Sequence, residues 1–173
     1  MRTIEIKVYL FSELSEDAKE KAIEGLSDIN VHYDWWNFTY EDAERIGLKI
    51  TSFDLDRNRH ATGELNTAAA EVCANIFKEH GETCETFKTA TKFMEAWQPI
   101  FNEYMNEESE KYESQESELA MQDLEEDFLK SILDDYSIIL QKESEYLQSK
   151  EAIIETIEAN NYEFDEDGKL TNL

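Results

Sequence analysis

The chain has 173 residues, with 41 acidic and 16 basic side chains and a formal net charge of −25. Apolar residues make up 40% of it, including three Trp, eight Tyr and nine Phe, which is enough for a core and excludes wholesale disorder. No apolar run approaches the roughly 20 residues of a membrane span. So strong an acidity also disfavours nucleic acid and anionic membranes as ligands.

Ile4, Ile6, Val8 and Leu10 alternate with Glu5, Lys7 and Tyr9, which predicts a strand with one buried face. Ser15 reads as an N-cap, with Glu16 and Asp17 favourable in the first helical turn. Ala18, Ala22, Ile23, Leu26 and Ile29 form the apolar stripe of that helix. Thr39 and Asp42 suggest a capped short helix ending at Gly47. Leu48 to Asp56 reads as a strand whose apolar phase shifts near Ser52, the mark of a bulge. His60 to Leu65 is its expected partner. Thr67 opens a helix carrying Val72, Ile76 and Phe77, closed by Gly81. Phe87, Phe93, Trp97, Ile100, Phe101 and Tyr104 continue at helical spacing, and Pro99 should kink or restart that run.

Asn106 to Glu118 is polar on all sides except for Tyr112, the pattern of an exposed helix or a linker. Met121, Leu124, Phe128, Ile132, Tyr136 and Ile139 then form a clear helical stripe. Asp123, Asp127 and Asp134 lie opposite it, whereas Glu125 and Asp135 fall inside the apolar arc. Ser149 starts a last helix with Ile153, Ile154 and Ile157. Tyr162 and Phe164, the turn Asp165-Glu166-Asp167-Gly168, and Leu170 predict a terminal hairpin.

The predicted class is α+β, a small antiparallel sheet packed with helices plus a long acidic helical region. The N-terminal strand and a hairpin are expected to supply the sheet. Residues 1–66 form an N-terminal α+β part with 14 acids and eight bases. Residues 67–173 form an acidic, mainly helical part with 27 acids and eight bases, ending in the hairpin. The two parts are expected to make one compact unit.

The charge is densest from Glu103 to Asp135, where 13 acids face only Lys111 and Lys130. As a helix this stretch would be about 50 Å long, with a carboxylate about every 4 Å of axis. One strand of B-DNA carries a phosphate about every 3.4 Å. Carboxylates at i, i+3 and i+4 stand about 5–6 Å apart and would suit a Lys/Arg groove. The candidate partner-binding residues are therefore Glu103, Glu107, Glu108, Glu110, Glu113, Asp123, Glu126, Asp127 and Asp134.

Tyr33, Trp35, Trp36, Phe38 and Tyr40 form the densest aromatic patch, a pattern usual for a core. Adjacent Trp35 and Trp36 cannot both face one way on a regular element. One of them is expected at the surface as an interface anchor, and Trp36 joins the candidates.

Other chemistry finds little support. Asp54, Asp56 and Asn58 open like a calcium loop, but Arg59 stands where Gly is needed and Leu65 where Glu is needed. Arg57 and Arg59 are expected to neutralise the two aspartates. His32, Asp34 and His60 lack metal-ligand spacing. Cys73 and Cys84 match no CxxC pattern and are expected as free thiols. No nucleophile motif or phosphate loop appears, so an enzyme, a cofactor and a metal are not expected. The first residues lack the long apolar segment of a secretion signal, which points to the cytoplasm.

The segment Leu14-Ser15-Glu16-Asp17-Ala18-Lys19 through Asp34-Trp35-Trp36 is distinctive, as is Gly47-Leu48-Lys49-Ile50-Thr51-Ser52-Phe53-Asp54-Leu55-Asp56-Arg57. So is the tail Ala152-Ile153-Ile154-Glu155-Thr156-Ile157-Glu158-Ala159-Asn160 with Tyr162-Glu163-Phe164. In these residues, at both ends of the chain, it resembles a family of small acidic proteins of phages and bacterial mobile elements, some described as antitoxins. The resemblance implies a genomic setting in a bacterial host and carries over no functional residues. Acidic phage proteins include DNA-mimicking inhibitors of restriction and CRISPR enzymes. By analogy, the expectation is an inhibitor whose partner is a basic nucleic-acid-binding protein, a Cas effector first and a restriction enzyme next. An antitoxin against a basic toxin is the alternative, and an acidic globular protein without mimicry is the third.

Overall fold

The computed structural model describes residues 7–104 and 115–171. In chain order the elements are β1 (Tyr9–Leu10), a 3-10 turn (Phe11–Glu13), α1 (Glu16–Gly25), α2 (Asn37–Ile46), β2 (Leu48–Asp54) and β3 (His60–Leu65). There follow α3 (Ala69–Glu79), α4 (Glu85–Tyr104), α5 (Gln115–Leu147), α6 (Lys150–Ala159) and β4 (Glu163–Phe164). The class is α+β, as expected.

Packing divides the chain into a terminal unit, up to Trp35 and again from Lys142, and a central unit, Trp36–Gln141. The compositional step at residue 66 falls inside the central unit. Charge is a property of the surface, whereas shared apolar contacts decide which segments fold together.

In the terminal unit, Ser15 and Ser149 cap α1 and α6, each accepting a hydrogen bond at 3.2 Å from the amides of Ala18 and Ala152. Phe11, Leu14, Ala18, Ala22, Ile153, Ile157 and Phe164 make its core. β1 pairs antiparallel with β4, Tyr9 opposite Phe164, and Phe164 also bridges to Leu170. The N-terminal strand therefore does not join β2 and β3, and the strands form two separate sheets. Among the described residues Lys7 and Val8 precede the strand. Ile4 and Ile6 lie outside the described residues, Val8 and Leu10 are exposed, and Tyr9 packs on the core. The partner strand β4 is likewise two residues long. Buried Asn30 is satisfied on both ends of its amide, donating to the Leu147 carbonyl at 3.0 Å and accepting from the Thr156 hydroxyl at 2.7 Å.

In the central unit, Gly47 ends α2 at φ +93°, a left-handed position that glycine adopts without strain. α2 begins at Asn37, with Trp36 as its cap, earlier than the sequence suggested. Thr39 is buried in the helix instead of capping it. β2 and β3 pair antiparallel with a bulge between Ile50 and Ser52. α3 starts at Ala69, with Ala68 as its cap, and ends against His80. α4 continues through Pro99 as one helix. The core gathers Ile46, Leu48 and Ile50 with Val72, Cys73 and Ile76 of α3, and with Phe93, Phe128, Ile132 and Tyr136 of α4 and α5.

Gly168 sits at φ +84°, and a Cβ there would collide with the backbone carbonyl of Ala18. Gly168→Ala is expected to lower stability by more than about 1 kcal/mol, read as a shifted urea midpoint.

Candidate partner-binding surface

α5 is helical because its apolar residues repeat at helical spacing and find a core. Phe128, Ile132 and Tyr136 are at most 3% exposed. Asp123, Glu126, Asp127 and Asp134 lie away from that stripe and are exposed. Glu125 and Asp135, which fall within the apolar arc, are half-buried. Asp135 accepts a 2.6 Å hydrogen bond from the Thr89 hydroxyl.

The exposed carboxylates differ in what they touch. Glu126 accepts from the Gln122 side chain at 3.1 Å, and Asp127 pairs with Lys130 at 3.3 Å. Asp134 pairs with Arg59 at 3.3 Å, and Arg59 also donates to the Ser137 hydroxyl at 2.9 Å. Asp134 thus ties the β2–β3 turn to α5, a different role from an open phosphate-like group. Arg59 points to α5 instead of neutralising Asp54 or Asp56. Glu103 is exposed near the end of α4. Glu107, Glu108, Glu110 and Glu113 lie outside the described residues.

Trp36 is not the expected exposed anchor. It is half-buried, edge-on to Phe53 at 5.5 Å, and Trp35 is buried. Phe38 is 78% exposed, because α2 turns Thr39, Ala43 and Ile46 inward. The helical phase of α2 could have found Phe38 once its start was known.

The calcium-like loop is an ordinary turn in which Asp54 Oδ1 accepts from the Asp56 amide at 2.8 Å. Among the described residues no cluster of His, Cys, Asp or Glu could hold a metal ion. Both cysteines are free thiols. Burial pushes the Cys73 thiol up to about 12, so it carries no thiolate at neutral pH.

Sequence spacing missed a polar node in the central unit. Asp42 Oδ2 accepts from the Tyr136 hydroxyl at 2.8 Å and lies 3.3 Å from His80 Nε2, while Oδ1 meets Arg45 at 3.3 Å. His80 Nε2 is buried and faces the carboxylate without completing a hydrogen bond. On the other side of the ring, His80 Nδ1 and the Thr86 hydroxyl share a hydrogen bond at 2.7 Å. Thr86 is 2% exposed, so its hydroxyl is not presented to a substrate. The node fastens α2, the α3 end, α4 and α5 together.

Electrostatics around the node divide two aspartates. The His80 contact and the Tyr136 hydrogen bond hold Asp42 below the ordinary carboxylate range, against the effect of burial. Burial instead pushes Asp135 up, and nearby Glu85 and Asp134 add to it.

Compared with known proteins, the chain matches no family model, no curated protein and no solved structure. No helix among the described residues is long and apolar enough to cross a membrane.

Opposite pH slopes follow. Asp42 stabilises the fold above its unfolded value, and this contribution is lost as pH falls through its depressed folded value. Asp42→Asn should remove that acid-side loss while lowering stability at pH 7. Asp135 has the reverse sign, because its folded value is raised and ionisation near neutral pH disfavours the fold. Asp135→Asn keeps an acceptor for Thr89 and should leave stability at pH 7 unchanged or higher. Thermal melts from pH 3 to 7 would separate the two. In the same melts Tyr136→Phe should cost about 1–3 kcal/mol by removing its hydrogen bond to the half-buried Asp42 carboxylate.

Proposed function

We propose that this chain is a phage-type counter-defence protein that acts in the cytoplasm of a bacterial host. In this reading it inhibits a nucleic-acid-binding defence nuclease, a CRISPR–Cas effector by preference, through an acidic, DNA-like surface. The observation that carries the reading is the placement of charge on α5. Asp123, Glu126 and Asp127 are exposed at helical spacing on a helix whose other side is locked into the core. A rigid row of carboxylates suits a basic nucleic-acid groove, and counterion release would drive the association. The analogy with acidic phage inhibitors supports the choice of target class.

The mechanism is competitive. Carboxylates occupy the Lys/Arg side chains that would otherwise hold phosphates, so target DNA and the inhibitor exclude each other. No covalent chemistry is required of the chain.

Inhibition by the wild-type protein should be relieved by excess target DNA. Affinity for the effector should fall about a hundredfold between roughly 50 and 200 mM salt. Replacing Glu103, Asp123, Glu126 and Asp127 together with Lys should abolish inhibition while far-UV circular dichroism stays native. Full inhibition by that variant would sink the proposal. Rescue of growth from a neighbouring basic toxin, with no nuclease present, would favour the antitoxin instead.

A further inference from the structure

α4 and α5 leave a groove between them in the central unit, of about 190 Å³. Phe93 and Phe128 form its floor, with their rings 4.7 Å apart, and Leu124 forms one wall. Lys92, Asp127 and Ser131 stand at its rim. The volume is below the roughly 300–1,000 Å³ of small-molecule pockets and suits a single inserted side chain. Asp127 belongs both to this rim and to the exposed acidic row.

A phosphate-like row needs no apolar notch beside it, because DNA backbone offers none to its binders. We infer that the groove takes an apolar side chain of a basic protein segment, flanked by Lys or Arg residues that reach Asp123, Glu126 and Asp127. This rests on the proposed function and names the form of the partner at the same face. Charge complementarity selects a cationic occupant. Five exposed acids and one base lie on α5 between Glu118 and Asp135, against the single Lys92 on the opposing rim. The charge of Lys92 is partly offset by that of Asp135. A nucleic acid would be repelled, and a second copy of this chain would bring the same negative charge.

Burial of one aliphatic side chain in the notch adds affinity that salt does not screen, since it depends on area removed from water. The charged row would supply attraction and orientation, and the groove would supply register along α5. Partners with basic charge alone would bind more weakly and in several registers.

The test uses the full chain and two synthetic peptides with the same number of lysines. One peptide places leucine between its lysines, and the other places serine. Calorimetric titration at low and moderate salt is paired with amide shift mapping. The leucine peptide should bind about tenfold or more tightly than the serine peptide, and its excess affinity should persist as salt rises. Its specific shifts should centre on Leu124, Asp127 and Ser131. Ser131→Phe, at an exposed position, fills the groove without changing charge. It should erase the advantage of leucine and leave serine-peptide binding intact. Equal binding of both peptides to the wild type would overturn the groove and leave the acidic row standing. An advantage that survives in Ser131→Phe would also overturn the groove. Absence of binding by either peptide at low salt would overturn the groove and the acidic-surface reading together.

Discussion

The acidic face of α5 depends on the burial of Phe128, Ile132, Leu133 and Tyr136 on its other side. An isolated helix this crowded with like charge would be marginal in water. Two exposed carboxylates about 5–6 Å apart repel by less than about 1 kcal/mol in high dielectric. Each fully buried apolar side chain contributes about 1.5–3 kcal/mol. Four such residues therefore outweigh several local repulsions, and the core holds the carboxylates in place. The surface charge is carried by the packing beneath it.

The same helix spends some of its carboxylates internally. Asp134 is engaged by Arg59, and Asp135 by Thr89, so only part of the acidic count faces outward. Tyr136 reaches the other way, into the Asp42–His80–Thr86 chain. One stretch of α5 thus anchors a turn, two helices and the end of a third through polar contacts, next to the apolar ones. That combination fixes how α5 presents its exposed side.

Local rules were legible in the sequence. Ser15 and Ser149 as caps, Gly47 as a helix stop, the bulge near Ser52 and the apolar stripe of α5 all follow from short-range chemistry. Contacts between distant segments were not legible. Nothing in the spacing pairs β1 with β4 or places Asp42 beside His80 and Tyr136, because those contacts exist only after the helices pack. The aromatic patch shows the limit most plainly. Of the two adjacent tryptophans one was expected at the surface, yet Trp35 is buried and Trp36 half-buried, and Phe38 takes the surface because the start of α2 sets a different phase. The candidate surface was legible as charge along α5, but not as a groove, since the groove also needs Phe93 and Lys92 from α4.

The pairing of β1 with β4, and of α1 with α6 in one core, makes the terminal unit discontinuous in sequence. The central unit is a single uninterrupted segment nested inside it. On the ribosome, every residue of the central core is synthesised before β4. The order of assembly is therefore written into the topology: the acidic helix can find its core first, and the two ends of the chain close last.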